Sequence, residues 1–253
     1  MHRPAITAFA TALVLAMGCT KTDPLPPNNG STSSGTLQLV IEPRWGEASF
    51  DRDSIYLNVL DHRVLVQALR CYFGDASLIG SNGSSHEVFD IDLVDLINGP
   101  VTRSYAVPSG SYSGFSVGIG VPPDLNASDP VTFANDHPLS VSNGTYWTWA
   151  TAYRFVMFDG RYGTDPNAVG TPPGQFSIHT GLDTCYRVST FDGLSIDVPG
   201  SGSAELRVLL HVDRIFHADG DTLDLSVDNQ SHGENVELSV RISDLFQKAL
   251  EVE

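Results

Sequence analysis

The 253-residue chain carries 30 acidic and 14 basic side chains, a formal net charge of −16, and 41% of its residues are hydrophobic. Such an acidic surface repels nucleic acid and anionic lipid and attracts cations, so the composition argues against a nucleic-acid-binding function. Acidity also keeps an exported protein soluble, and by itself it defines no ligand.

The first 18 residues are predicted to be a secretory signal. They hold Arg3 near the start, an apolar run from Ala8 to Met17 and small residues before Cys19. The apolar run is too short to cross a bilayer, and the residues before Cys19 are typical of a lipoprotein processing site. We therefore expect export, lipidation at Cys19 and a location in the periplasm or at the outer membrane. The remaining chain then carries 13 basic and 30 acidic residues, a formal charge of −17.

Residues 19–36 are predicted to be a disordered tether. Apart from Cys19 they read TKTDPLPPNNGSTSSGT, which is rich in Pro, Asn, Gly and Ser and has almost no apolar side chain to bury. Residues 37–253 are long enough for one large folded domain with a single core.

Short runs of alternating apolar and polar residues recur through this domain. Clusters of Gly, Pro, Asn and Asp separate them, which is typical of an antiparallel β-sandwich or barrel-like fold. Near the C-terminus the apolar residues recur at helical spacing instead, from Leu238 to Leu250. We predict an all-β domain with a short C-terminal helix. The runs are LQLVIEP, DSIYLNV, RVLVQALRCYFGDASLI, SYAVPSGSYSGFSVGIGVPP, TYWTWATAYRFVM, QFSIHTG, LSIDVP and AELRVLLHVDRIF.

The run TYWTWATAYRFVM, residues 145–157, places large oxidisable side chains at alternate positions. In one continuous strand these side chains would all share one face. Two interpretations follow: an aromatic core strand between two sheets, or an electron-rich face that serves a metal. The side chains are Trp147, Trp149, Tyr153, Phe155 and Met157.

Three cysteines occur in the chain, and lipidation would consume Cys19. Cys71 and Cys185 then form an even pair in an oxidising compartment, where such pairs commonly form disulfides. We expect a Cys71–Cys185 disulfide on this ground.

Two motifs superficially suggest catalysis or metal binding. GFSVG matches the pattern of a hydrolase nucleophile, but Ser116 lies inside an alternating strand with no helix signal after it. HADGDTLD groups Asp219, Asp221 and Asp224, as a calcium loop would, but it lacks the length and closing glutamate of an EF-hand and favours a hairpin turn. No phosphate loop, zinc cluster or activated nucleophile stands out, and we expect no enzyme.

Histidine in the company of aromatics and a thioether is what remains distinctive. Exported copper proteins commonly hold the metal with imidazole and soft donors. His179 follows an alternating strand, six residues before Cys185, and a structural or solvent-exposed role is the alternative. His232 precedes the terminal helix, where a capping or solvated role is equally natural.

Several segments together resemble the MbnP-like, methanobactin-associated copper-binding proteins. They occur in the family's order and cover most of residues 37–253. Relatives commonly have a histidine where Ala127 stands here, and a glycine where Ala152 stands. The matching segments are CYFGDASLI, VPSGSYSGFSVGIGVPPDLN, HPLSVSNGTYWTWATAYRFVMFDG, FSIHTGLDTC, LHVDRIF and SHGENVELSVRISDLF.

The resemblance implies a copper-binding protein that stores, transports or hands over the metal beside a di-haem cytochrome c peroxidase-like partner. It implies that Trp147 or Trp149 is converted to kynurenine by that partner and then helps bind copper. His179 is the first expected imidazole ligand and His232 the second, while Met157 is either a soft neighbour or a core residue. The alternatives are a non-catalytic module that binds, for example, carbohydrate through exposed aromatics, or a structural surface lipoprotein.

Overall fold

The computed structural model describes residues 33–148 and 152–253. In this part of the chain β-strands dominate, and the fold is the predicted all-β sandwich with a short C-terminal helix. In chain order the elements are β1 Ser34–Trp45, β2 Ala48–Ser49, β3 Tyr56–Leu57, β4 Arg63–Gly80, β5 Ser85–Asp95, β6 Val101–Pro108, β7 Gly110–Ile119, α1 Pro123–Asn126, β8 Tyr146–Trp147, β9 Ala152–Tyr153, β10 Val156–Gly163, β11 Gly174–Thr180, β12 Arg187–Val198, β13 Ser203–His211, β14 His217–Ala218, β15 Asp221–Thr222, β16 Gln230–Ser231, α2 Val236–Lys248 and β17 Leu250–Val252.

Two open sheets form the sandwich. The five-stranded sheet has the order β17-β13-β1-β2, with β6 also paired to β1. The eight-stranded sheet has the order β12-β7-β4-β10-β11-β16, with β3 and β5 also paired to β4. Most pairs are antiparallel, as the alternating runs predict, but β1 pairs with β13 and β11 pairs with β16 in parallel.

The main core is built from the inward faces of both sheets. Alternate residues of β1 point into it, because successive strand residues face opposite sides. Long strand β4 supplies residues to the same core from the other sheet, and β10 and β11 add aromatic rings. Members of this core include Leu37, Leu39, Ile41, Val64, Val66, Phe73, Phe158, Phe176 and Ile178.

Helix α2 closes the core near the C-terminus. The side chain of Asn235 caps it by accepting a hydrogen bond from the backbone N–H of Leu238 at 3.1 Å. Its buried stripe, Leu238, Ile242, Leu245 and Phe246, packs into the main core at the predicted helical spacing. The helix ends at Lys248, so Leu250 belongs to the short strand β17 rather than to the helix. Within residues 33–148 and 152–253, no helix combines the length and apolarity that a membrane span requires.

A second, smaller apolar cluster lies on the opposite face of β4. Tyr72 reaches it, whereas the flanking residues Cys71 and Phe73 point into the main core. Tyr153 and Phe155 fill this cluster, and both are fully buried. The cluster supports the loops that precede β10 and lies beside the site described below.

The predicted continuous strand over residues 145–157 is wrong. Trp147 and Tyr153 lie on two short strands that form a hairpin, in which Trp147 pairs with Ala152 and Tyr146 with Tyr153. Ala152 has a φ of +61°, in the left-handed region that a side chain with a Cβ disfavours. The antiparallel pairing shows that the chain reverses direction between Trp147 and Ala152, so Trp147 and Tyr153 do not share one strand face. Trp149 lies outside the described residues, as does Cys19.

The predicted disulfide is not formed, since Cys71 and Cys185 are both buried free thiols. Cys71 belongs to the main core and Cys185 to the second cluster. Tyr72, which follows Cys71 on β4, packs in the same cluster as Cys185. Because successive strand residues face opposite sides, the two thiols lie on opposite sides of β4. Burial also raises the pKa of the Cys71 thiol, which disfavours the thiolate that oxidation requires.

Candidate functional site

The antiparallel pair of β10 and β11 presents a polar outer face. Met157 lies directly opposite His179, and Asp159 lies directly opposite Ser177. Directly opposed residues share a face, while the residues between them, such as Phe158 and Ile178, point into the main core. Two strands therefore bring four side chains with polar or sulfur atoms together on one surface.

Strand β16 adds a second histidine to this surface. It runs parallel to β11, with Ser177 beside Gln230 and Ile178 beside Ser231. His232, one residue beyond the last pair, continues this register to His179. The two imidazole rings lie with their centroids 5.1 Å apart and a 43° angle between their planes. A hydrogen bond of 2.7 Å between the hydroxyls of Ser231 and Ser239 ties β16 to helix α2.

Trp147 completes a cluster of three rings. Its ring centroid lies 5.3 Å from that of His179 and 5.6 Å from that of His232. The guanidinium of Arg154 lies over the indole at 4.8 Å from the centroid and donates hydrogen bonds to the carbonyls of Gly144 and Thr145. A cation placed over an aromatic face is attracted by the ring quadrupole, so Arg154 stabilises the position of the indole.

Two buried tyrosines hold the hairpin of Trp147 against the sheet. The hydroxyl of Tyr72 donates to the carbonyl of Pro138 at 2.8 Å and lies 2.7 Å from the hydroxyl of Thr145. The hydroxyl of Tyr153 donates to the carbonyl of Leu139 at 2.9 Å. Burial raises the pKa of Tyr72 to about 12 and raises that of Tyr153 as well. Both phenols are therefore neutral anchors at physiological pH.

A hydrogen-bond network links the two histidines through a carboxylate. Nε2 of His179 lies 3.0 and 3.1 Å from the two carboxylate oxygens of Asp159. The Ser177 hydroxyl donates to Oδ1 of Asp159 at 2.6 Å, and Nε2 of His232 lies 3.0 Å from the same hydroxyl oxygen. Burial raises the pKa of Asp159, but the hydrogen bonds from His179 and Ser177 outweigh it and hold the pKa below its usual value.

The pairing of β10 with β4 is irregular beside Asp159. Asp159 pairs with Ala68 and Gly160 with Val66, so Gln67 of β4 is an extra residue at this point, as in a β-bulge. A Cβ at position 160 would clash with the carbonyl oxygen of Leu65 and with the ring of Phe176, so only glycine fits there. Bulges redirect the side chains beside them, and this one lies next to the carboxylate that contacts His179.

The second ring nitrogen of His179 lacks a partner. The side chain is buried, and its Nδ1 makes no hydrogen bond to any of the described residues. Buried polar atoms are normally satisfied, and an exception calls for an explanation such as an ion. A neutral imidazole nitrogen with an unused lone pair is a metal ligand.

The ring cluster supplies too few donors for a closed structural zinc site, which needs four protein ligands. Across residues 33–148 and 152–253, no group of three or more His, Cys, Asp or Glu side chains is arranged to hold a metal ion. Two imidazoles, with the thioether of Met157 on the same face, are instead the types of donor that copper accepts, whereas the indole nitrogen carries a hydrogen and offers no lone pair.

Of the four predicted metal-site residues, the structure brings together His179, His232 and Trp147, and the fourth, Trp149, lies outside the described residues. Sequence analysis missed Asp159, Ser177 and Arg154, which surround them. A signal was present for two of these, since Asp159 is two positions after Met157 and Ser177 two positions before His179. Residues two positions apart on a strand share a face, so Asp159 lies on the face of Met157 and Ser177 on the face of His179. The contact between Asp159 and Ser177 depends on the β10–β11 register, which the sequence pattern does not specify.

The other motifs lie elsewhere. Ser116 is inside β7, paired with Thr190 of β12 and Ser77 of β4. The Asp219 segment forms the predicted hairpin, β14–β15, and Asp221 forms an ion pair with Arg241 at 2.8 Å. The remaining described histidines contact other groups away from the ring cluster: His62, His86, His137, His211 and His217.

Comparisons with known proteins agree with this architecture. Among solved structures, the chain is similar to MbnP from Methylosinus trichosporium, with a TM-score of 0.51 and 15% identity over 80% of this chain and 82% of that chain. At this identity the likeness shows the fold alone. A comparison with curated proteins gives no match. The family model for MbnP matches residues 34–250, nearly all of the strands and helices described above. The expected resemblance is thereby confirmed, and the chain belongs to the MbnP family.

Proposed function

We propose that this protein binds copper as cargo at the cluster of His179, His232 and Trp147, and that it stores, carries or hands over the metal. The observation that carries the proposal is the pair of imidazole rings 5.1 Å apart, one of which has a buried nitrogen without a partner among the described residues. Membership of the MbnP family, which is associated with methanobactin and copper, supports the choice of metal.

The second part of the proposal is the conversion of Trp147 or Trp149 to kynurenine by a di-haem peroxidase-like partner. Two equivalents of hydrogen peroxide, consumed at the haem partner, break the C2–C3 bond of the indole, leave one oxygen atom as a carbonyl on each of the two carbons, and release two waters. Hydrolysis of the resulting formyl amide releases formate. Trp147 is favoured over Trp149 by its contact with both imidazoles, because the new aniline nitrogen and carbonyl would arise beside them.

The protein acts in this proposal as an accessory binding protein rather than as an enzyme. It is exported and anchored by lipid at Cys19, with the residues from Cys19 up to β1 as the tether. The expected tether of residues 19–36 is three residues too long, because β1 begins at Ser34. The signal-like pattern of residues 1–18 and the Pro- and Ser-rich composition of the tether support this location.

Copper binding is tested with protein purified from its native host. We expect copper in the purified protein, and we expect His179→Ala and His232→Ala each to weaken Cu(I) affinity at least tenfold in competition with a chromogenic chelator. His86→Ala is the matched control, because His86 contacts Tyr112 and lies outside the ring cluster. A metal-free native protein whose Cu(I) affinity is the same in all three variants would overturn the proposal.

The kynurenine step has its own test. Trypsin releases one peptide, residues 104–154, that contains both Trp147 and Trp149. Fragmentation of this peptide from native protein should show the mass of kynurenine at one of the two positions, most directly at Trp147. Two unmodified tryptophans in copper-loaded native protein would remove this step and leave copper binding to the imidazoles.

A further inference from the structure

We propose that Asp159 and Ser177 are positioning residues that set the tautomer of both imidazoles, so that Nδ1 of His179 and Nδ1 of His232 keep their lone pairs for a metal. This inference rests on the proposed function and deepens it, because it assigns the atoms through which the two histidines bind.

The first contact, between Asp159 and His179, fixes the tautomer of His179. A carboxylate only accepts hydrogen bonds, so the hydrogen between Asp159 and the imidazole belongs to Nε2 of His179, 3.0 and 3.1 Å from the carboxylate oxygens. A neutral imidazole has one N–H, and Nδ1 therefore keeps its lone pair. Nδ1 is buried and has no hydrogen-bond partner in the described structure, so no protein contact competes for that lone pair.

The second contact fixes the tautomer of His232, although His232 does not itself contact the carboxylate. A serine hydroxyl has one hydrogen, and Ser177 donates it to Asp159 at 2.6 Å. The oxygen of Ser177 is then only an acceptor toward Nε2 of His232, 3.0 Å away. Nε2 of His232 must carry the N–H, and its Nδ1 keeps the lone pair. One carboxylate thus controls two histidines, although it contacts only one of them.

This arrangement suits metal binding. A carboxylate that accepts the N–H of a ligating histidine fixes the ring and raises the basicity of the other nitrogen, and losing such a partner typically costs about 10- to 100-fold in metal affinity. Without Asp159, the Ser177 hydroxyl can rotate and donate to Nε2 of His232. The proton of His232 would then move to Nδ1, the nitrogen that should hold the metal.

The tautomers are measured on metal-free, ¹⁵N-labelled protein by long-range ¹H–¹⁵N NMR of the imidazole rings. In the wild type we expect both His179 and His232 as the Nε2–H form. Ser177→Ala should change the tautomer of His232 alone, and Asp159→Asn should change both. Ser177→Thr, which keeps the hydroxyl, should restore the wild-type pattern of His232. If Ser177 acted through packing alone, His232 would have the same tautomer in the alanine and threonine variants.

Asp197→Asn is the matched control. Asp197 also accepts a serine hydroxyl, that of Ser111 at 2.5 Å, but on β12 and β7, away from the histidines. It should leave both tautomers unchanged. If Asp159→Asn does not fold, the Ser177 pair of variants still decides the question. An Nδ1–H form of either histidine in the wild type, or an unchanged His232 in Ser177→Ala, would overturn the inference.

Cu(I) titration separates this inference from the proposed function. We expect Ser177→Ala to weaken Cu(I) binding by about 10- to 100-fold, with recovery in Ser177→Thr. Wild-type protein with the expected tautomers but no Cu(I) affinity would remove the copper function and leave the positioning network in place. A wild-type protein that binds Cu(I) but has Nδ1–H imidazoles would overturn the positioning network and leave the copper function in place.

Discussion

His179 on β11 and His232, the residue immediately after β16, lie side by side with ring centroids 5.1 Å apart. The parallel register of β11 and β16 produces this contact, because Ile178 and Ser231 are paired immediately before the two histidines. Trp147 closes the group from a separate hairpin. Three distant segments of the chain thus meet at one small surface that carries two imidazole rings and an indole, with the thioether of Met157 on the same face of the sheet.

The charge of Arg154 should favour Cu(I) over Cu(II) at this surface. Its guanidinium lies over the Trp147 ring, and a nearby positive charge destabilises the divalent ion more than the monovalent one. We expect Arg154→Gln to lower the reduction potential of the bound copper, with a change of roughly tenfold in the ratio of Cu(I) to Cu(II) affinity. Arg154→Lys, which keeps the charge, is the control. An unchanged or higher potential in Arg154→Gln would contradict this account.

Replacing Ala152 with glycine should stabilise the protein. Ala152 has a φ of +61°, which costs an L-residue roughly 1–2 kcal/mol, whereas glycine adopts it readily. Glycine increases the entropy of the unfolded chain, which offsets part of this gain. We therefore expect a net increase of up to about 1 kcal/mol in the free energy of unfolding. Urea unfolding of the two proteins measures it, and a loss of stability would show that the left-handed backbone carries no strain.

Tyr72 should make the protein sensitive to alkaline pH. Burial raises the pKa of Tyr72 to about 12, against about 10 in an unfolded chain. Below pH 10 the phenol is neutral in both states and its contribution to stability is complete. Between about pH 10 and 12 only the unfolded chain loses the proton, so the free energy of unfolding falls, by up to about 3 kcal/mol.

The variant Tyr72→Phe tests this dependence. It removes the hydrogen bonds to Pro138 and Thr145, which should cost about 1 kcal/mol at neutral pH. The slope of stability against pH above 10 should become shallower, since the remaining slope comes from other buried phenols such as Tyr153. Equal slopes in wild type and variant, measured by chemical unfolding at several pH values, would refute the assignment to Tyr72.

Cys71 and Cys185 should react with a thiol reagent as free thiols once the protein is unfolded. Both are buried, so a thiol reagent should label neither residue in the folded protein and both after unfolding in guanidinium chloride. Cys71→Ser and Cys185→Ser each remove one reactive thiol and identify the signals. If unfolded, unreduced protein showed no reaction at either residue, the two would be joined after all.

The sequence predicts the architecture better than the site. Alternation correctly located β1, β4, β7 and β11, and helical spacing located α2, because each pattern reflects burial of one face of one element. It failed from Trp147 to Met157, since Trp147 and Ala152 are paired across a hairpin and the chain reverses direction between them without a glycine to signal a turn. Alternation across that turn was coincidental.

The site depends on pairings that no single segment encodes. His179 and His232 could be selected as histidines near aromatics, but their contact requires the parallel register of β11 and β16. Asp159 and Ser177 were missed for the same reason, because their role follows from the β10–β11 pairing. The prediction of a disulfide failed because the number of cysteines does not indicate which face of β4 Cys71 occupies.

The most direct test of the central claim is an anomalous-difference map from crystals of the copper-loaded native protein, collected at the copper absorption edge. We predict one dominant peak within bonding distance of Nδ1 of His179 and Nδ1 of His232, beside the side chain of Trp147. A copper peak bound elsewhere, with both imidazoles unligated, would contradict the account.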